Sequence, residues 1–157
     1  NLVLMVPGAE LYHFGVLSSM MHMAWVRHVC GRLESRYRYF NTLVYNNFPW
    51  PEPTDGQKET ISRAAQEVLD ARAKFPGSTL ADLYDPVTTP PELARAHADL
   101  DRAVDKAYGR TAFLSEMERV AFLFERYEAL ARPLLPPTRP GRKPRGSGRP
   151  KRPSTRT

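Results

Sequence analysis

From Glu10 to Leu33 apolar residues occupy almost the whole helical circumference, with Leu11, Phe14, Leu17, Met20, Met21, Ala24, Trp25 and Val29 spread around it. A surface helix confines its apolar residues to one stripe, so a helix that is apolar all round has to be buried among neighbours. Those neighbours are protein rather than lipid. The most apolar part, Leu11 to Val26, is shorter than a bilayer-spanning helix and is interrupted by His13, Ser18, Ser19 and His22. Upstream, Leu2 to Val6 is an apolar run ending at Pro7-Gly8, which reads as a buried strand followed by a turn. A strand without a partner implies missing sequence, as does a start without methionine, and the absence of a basic leader argues against a signal peptide.

After this helix the pattern changes twice. Tyr37 to Tyr45 is rich in aromatic and β-branched residues and is broken by Asn41, which suggests a strand or irregular hairpin. Asn46-Asn47-Phe48-Pro49-Trp50-Pro51 then stops any regular element. Beyond Pro53 three helices are expected. The first has a Thr54–Gln57 capping box and reaches Phe75; the second has Thr89 as cap and Pro90 in its first turn, and closes at Gly109; the third starts from a Ser115–Glu118 box and ends at Pro133. The fold class is therefore mainly α: a long buried helix, a short irregular β segment, a small three-helix bundle and a disordered basic tail.

The net charge of +6 is concentrated in that tail. Residues 133–157 carry Arg139, Arg142, Lys143, Arg145, Arg149, Lys151, Arg152 and Arg156 and no carboxylate, so the tail is +8 and the rest of the chain −2. Interleaved prolines and glycines give it no core to join, and disorder with salt-sensitive, sequence-independent affinity for nucleic acid is the expectation. Within the body, basic charge gathers only between Arg27 and Arg38, where Arg27, Arg32, Arg36 and Arg38 face the single Glu34 beside Tyr37, Tyr39 and Asn41. Such a segment suits DNA, whose phosphates and guanine edges both accept from arginine. It equally suits a solvated helix end whose arginines complement the helix dipole.

Little else carries chemistry. The sequence has no glycine-rich nucleotide loop, no paired cysteines and no serine nucleophile elbow. The lone Cys30 is expected to be a buried, reduced thiol of a cytoplasmic protein. His13, His22 and His28 are spaced too unevenly to share one helix face as metal ligands, and His22 is expected to hydrogen-bond near Ser18. His97 with Asp101, and Asp99, Asp101 and Asp105 among Arg95, Arg102 and Lys106, read as an ordinary charged helix surface.

Residues 11–51, LYHFGVLSSMMHMAWVRHVCGRLESRYRYFNTLVYNNFPWP, closely resemble the end of the target-recognition region of MmeI-like restriction-modification enzymes. LADLYDP (80–86) and AHADLDRAVDKAYG (96–109) are similar to that family's C-terminal helical segment, so the resemblance runs from about Leu2 to Leu130. The chain then divides into the end of the recognition region at 1–51, a C-terminal helical domain at 52–132 and, outside the resemblance, the tail at 133–157. The resemblance also implies a parent polypeptide with an upstream N6-adenine methyltransferase domain using S-adenosylmethionine and, where a nuclease is present, magnesium for that nuclease. This chain itself would hold no catalytic residue, cofactor or metal; its partners would be double-stranded DNA and the upstream methyltransferase domain, with no membrane. The catalytic Asn-Pro-Pro-Tyr would lie upstream. Asn46 to Trp50 lacks its consecutive prolines, and Phe48 and Trp50 are expected to pack the arginine-rich segment against the bundle.

The resemblance further implies that Glu34 and Arg36, the variable positions of an Arg-Leu-x-Ser-x-Tyr-Arg-Tyr pattern, read one base pair. Glu-x-Arg looks like the version that selects cytosine beside the target adenine, and Lys-x-Asp like the version that selects guanine. Glutamate accepts from cytosine N4 and arginine donates to guanine N7 and O6, so exchanging the signs exchanges the strands. Arg27, Arg32 and Arg38 would then contact phosphates. The alternative is a non-catalytic helical interaction domain whose basic tail binds nucleic acid nonspecifically.

Overall fold

The computed structural model describes residues 5–33 and 36–134, with the side chains of residues 32, 33, 36 and 134 outside that description. The chain is mainly helical. The buried N-terminal helix is two helices, α1 (Leu11–Leu17) and α2 (Met20–Val29), followed by a hairpin of β1 (Gly31–Leu33) and β2 (Arg36–Arg38) and a π-helical turn over Asn41–Tyr45. Then come α3 (Asp55–Ala73), the single-turn α4 (Leu80–Leu83), α5 (Pro91–Ala107), α6 (Glu116–Ala131) and a closing 3-10 turn, Arg132–Leu134.

The expected continuous helix breaks at Ser18-Ser19. Ser19 adopts an extended conformation, its Oγ accepts from the His22 amide at 3.4 Å and donates to the Val16 carbonyl at 2.7 Å. Two serines whose hydroxyls compete for nearby backbone groups favour a cap over a helix interior. Asp101 of α5 completes the new start by accepting from the Met20 amide at 2.7 Å. The far end also differs from expectation, because Cys30 is already extended and the strand begins at Gly31 rather than after Leu33. Cys30 is a free, partly buried thiol rather than a fully buried one. The strand expected at Leu2 to Val6 lies mostly outside the described residues, as does the tail from residue 135.

Two of the three later helices start at their expected caps, and the remaining one starts one residue later. Thr54 accepts from the Gln57 amide and Gln57 accepts from the Thr54 amide, a complete capping box. Ser115 caps α6 by accepting from the Glu118 amide, but Glu118 reaches one residue further back, to the Leu114 amide at 2.8 Å. For α5 the cap moves from Thr89 to Pro90, with Pro91 first in the helix, since Thr89 Oγ1 donates to the Asp85 carbonyl instead. Gly109 closes α5 at φ +77, the left-handed conformation in which a side chain is disfavoured.

The neighbours demanded by the apolar N-terminal helices are in this same chain. Gln57 at the start of α3 donates to the Lys106 carbonyl at the end of α5, so α3 and α5 run antiparallel, and α1 lies along both. Gly15 makes that approach possible: a Cβ there would stand 2.8 Å from Ile61 Cγ2 and 3.2 Å from both Ala65 Cβ and Leu100 Cδ1. α6 packs against α2 rather than chiefly against α3 and α5. A single apolar core therefore runs from Tyr12 and Trp25 through Ile61, Leu93 and Leu100 to Leu123, crossing Pro51–Pro53 without a break.

Candidate nucleic-acid interface

The arginine-rich segment forms an antiparallel hairpin in the register Gly31↔Arg38, Arg32↔Tyr37, Leu33↔Arg36. Positions 34 and 35 join the last pair. Glu34 thus falls outside the described residues, and Arg32 and Arg36 are located by backbone register alone. Arg38 is exposed, with its guanidinium 4.8 Å from the centre of the Phe40 ring. A cation held over an aromatic face remains available to an anion from its other side. Tyr37, Tyr39, Phe40 and Leu43 are exposed beside it, so the strip from 37 to 43 is both basic and aromatic.

Arg27 sits elsewhere. It belongs to the last turn of α2, is partly buried, and its guanidinium is ion-paired with Glu116 in the first turn of α6. The structure therefore gathers Arg32, Arg36 and Arg38 on one hairpin and separates Arg27 from them.

An aromatic hub fastens the turn and loop that follow the hairpin to the helices. Trp25 is buried, donates from Nε1 to the Val44 carbonyl at 3.0 Å, and lies 5.3 Å from the Phe124 ring and 5.9 Å from Tyr127. Phe48 meets the His22 ring edge-on at 4.6 Å and Trp50 at 5.5 Å, and the Tyr108 hydroxyl holds the loop by donating to the Pro49 carbonyl at 2.9 Å. Asn47 Nδ2 donates to the carbonyls of Thr42 and Leu43, satisfying the π-helical turn, which makes the asparagines scaffold rather than chemistry. Phe48 and Trp50 pack as expected of aromatic residues, but on His22, Trp25, Tyr12, His13 and Tyr45 rather than on the arginine-rich segment itself.

His22 is buried, and its partner is not Ser18: Nε2 lies 3.1 Å from the Tyr39 hydroxyl, while Nδ1 has no hydrogen-bond partner among the described residues. Burial pushes this imidazole down to about 4, so it is neutral at neutral pH, and burial, with Tyr45 adding to it, pushes the Tyr39 phenol up to about 12. Both rings line a mostly apolar cleft of about 920 Å³ between Met5–Pro7, α2 and the 38–46 strip.

The acidic face of α5 is also more structured than its spacing suggests. Asp105 is buried and ion-paired with Arg119 of α6 at 2.7 Å, and His97 bonds the Tyr84 hydroxyl at 2.6 Å rather than Asp101. Burial raises the Asp101 and Asp105 carboxyls, opposed at each by the nearby Arg119 charge. These groups cap helices and join elements; no set of three or more His, Cys, Asp or Glu side chains converges as metal ligands among the described residues. None of the described helices is long and apolar enough to cross a membrane.

Residues 53–135 match the family model described as MmeI, C-terminal domain, and residues 1–52 match the one described as MmeI, target recognition domain. The chain belongs to the MmeI family. It is 45% identical over 130 residues to the DNA methyltransferase A of Bacillus subtilis (strain 168), a match covering 83% of this chain and 15% of that protein. It is also similar to the solved structure of the Type IIL restriction-modification enzyme MmeI in complex with DNA, with a TM-score of 0.78 and 51% identity, over 81% of this chain and 17% of that one. The chain thus spans less than a fifth of the length of either relative.

Proposed function

We propose that this segment reads DNA sequence for a site-specific N6-adenine methyltransferase of the restriction-modification type. The observation that carries the reading is a coincidence of two facts: residues 1–52 match a target recognition domain, and within them an arginine-bearing hairpin runs into an exposed basic and aromatic strip at 37–43. A two-stranded ribbon is narrow enough to enter the major groove, where base edges are distinguishable. Glu34 and Arg36, at the hairpin's connection and the start of β2, would read one C:G pair. Arg32 and Arg38 would hold phosphates. Arg27 enters this reading only if a phosphate displaces Glu116 from its guanidinium.

Double-stranded DNA is the partner, together with the methyltransferase domain of the same polypeptide. S-adenosylmethionine, and magnesium where a nuclease is present, belong to that remainder. The sequence has no glycine-rich loop of the kind that holds a nucleotide-like cofactor, and the described residues bring together no carboxylate or imidazole cluster.

The test is the double substitution Glu34→Lys with Arg36→Asp in the full-length protein, with methylated sites mapped by sequencing. The expected outcome is a switch from cytosine to guanine beside the target adenine, a discrimination of about 1–3 kcal/mol. An unchanged methylated sequence would remove both residues from base reading.

A further inference from the structure

A hairpin with three residue pairs is too small to hold its own shape in water. This one has two anchors on a single helix. β1 continues from α2 through Cys30, and Tyr39, the residue after β2, returns to His22, two turns earlier on the same helix. The two feet of the hairpin therefore rest on α2, one by covalent continuity and one by a phenol–imidazole hydrogen bond.

We propose that His22 is a positioning residue: by holding the Tyr39 hydroxyl it sets the angle at which the hairpin carrying Arg36 and Arg38 leaves the helical core, and so sharpens base discrimination without touching DNA. This inference rests on the DNA-reading function proposed above.

His22 is itself immobilised. Its backbone amide meets the Ser19 cap, the residue is 3% exposed with its ring edge-on to Phe48, and Phe48 is fixed in turn by Trp25 and Trp50. Tyr39 is its counterpart at the surface, 36% exposed and following Arg38 directly. Either neutral tautomer keeps the bond, since a phenol both donates and accepts. The imidazolium would not be tolerated as well, because it adds a second N–H where Nδ1 has no partner among the described residues.

The experiment compares Tyr39→Phe, His22→Leu and His22→Gln with the wild type in the full-length protein. Glutamine keeps an amide near the position of Nε2 and is the conservative rescue. Two readouts are taken: hydrogen exchange of the β1 and β2 amides without DNA, and the preference for cytosine beside the target adenine. Tyr39→Phe and His22→Leu are expected to speed hairpin exchange and erode that preference by roughly tenfold each, the size of one net hydrogen bond. Exchange in α3 and α5 should stay as in the wild type, and His22→Gln should restore most of both effects. Unchanged hairpin exchange in Tyr39→Phe overturns the proposal, as does a His22→Gln variant as damaged as His22→Leu. A wild type that prefers no base at that position, with a hairpin still loosened by Tyr39→Phe, overturns the DNA reading and supports the anchoring.

Discussion

The helical body and the hairpin use the same kinds of residue in opposite ways. In the body polar groups are turned inward: Asp101 caps α2, Asp105 grips Arg119, Gln57 and Tyr108 tie α3 and α5 to distant backbone. Between 37 and 43 the basic and aromatic side chains are exposed instead, and the anchors lie behind them in Val44, Phe48 and His22. Burial of a charge is tolerable only when it is paired, and a contiguous aromatic strip left in water contributes nothing to the core and marks an interaction surface. The contrast teaches that stability and recognition are assigned to different residues here, so they should respond to different substitutions.

Trp25→Ala should blur the division most, because its indole is shared by both regions. A loss of about 3–5 kcal/mol in urea unfolding is expected, and a loss below about 1 kcal/mol would mean that the hub does not join them.

Acid comes next. The folded His22 is held at about 4 against an ordinary 6.5, so the unfolded chain binds the proton first and stability falls as pH drops through 6.5 toward 4. The full effect is about 3 kcal/mol. Asp101 and Asp105, with raised folded values, act in the opposite direction, since acid relieves their burial. Between pH 7 and 4 the urea midpoint of the wild type should therefore fall further than that of His22→Gln; parallel curves would exclude His22 as the source.

Gly15→Ala should cost about 1–3 kcal/mol by overpacking, without altering hairpin exchange, because Ile61, Ala65 and Leu100 leave no room for the methyl. A variant as stable as the wild type would show that Ile61 yields freely. Arg38→Ala sits at the other limit. Its stability should stay within about 0.5 kcal/mol of wild type, while DNA binding weakens for all sequences and its salt slope falls by about one. A change confined to one base position would instead make Arg38 a reader.

What was legible in the sequence was local. Thr54–Gln57 and Ser115 announce α3 and α6 because a cap and its partner are three residues apart. The arginine cluster was legible as charge, and the two readers only through resemblance, with Glu34 outside the described residues. The features missed depend on partners far along the chain: Asp101 on Met20, Asp105 on Arg119, Tyr39 on His22. No spacing rule announces a contact 81 residues away. The Ser18-Ser19 break did carry a local sign, two adjacent hydroxyls inside an apolar helix, which the surrounding hydrophobicity outweighed.

The continuous core beneath Pro51–Pro53 decides where this segment can be exchanged between relatives. A graft cut at that proline loop would part Gly15 from Ile61, Ala65 and Leu100, and the incoming α1 would meet a surface shaped for another sequence. A graft bounded by Gly31 and Arg38 disturbs none of those contacts, provided that Tyr39 and His22 travel or stay as a pair. The transplantable unit is thus the ribbon, and the helices are its fixed mount.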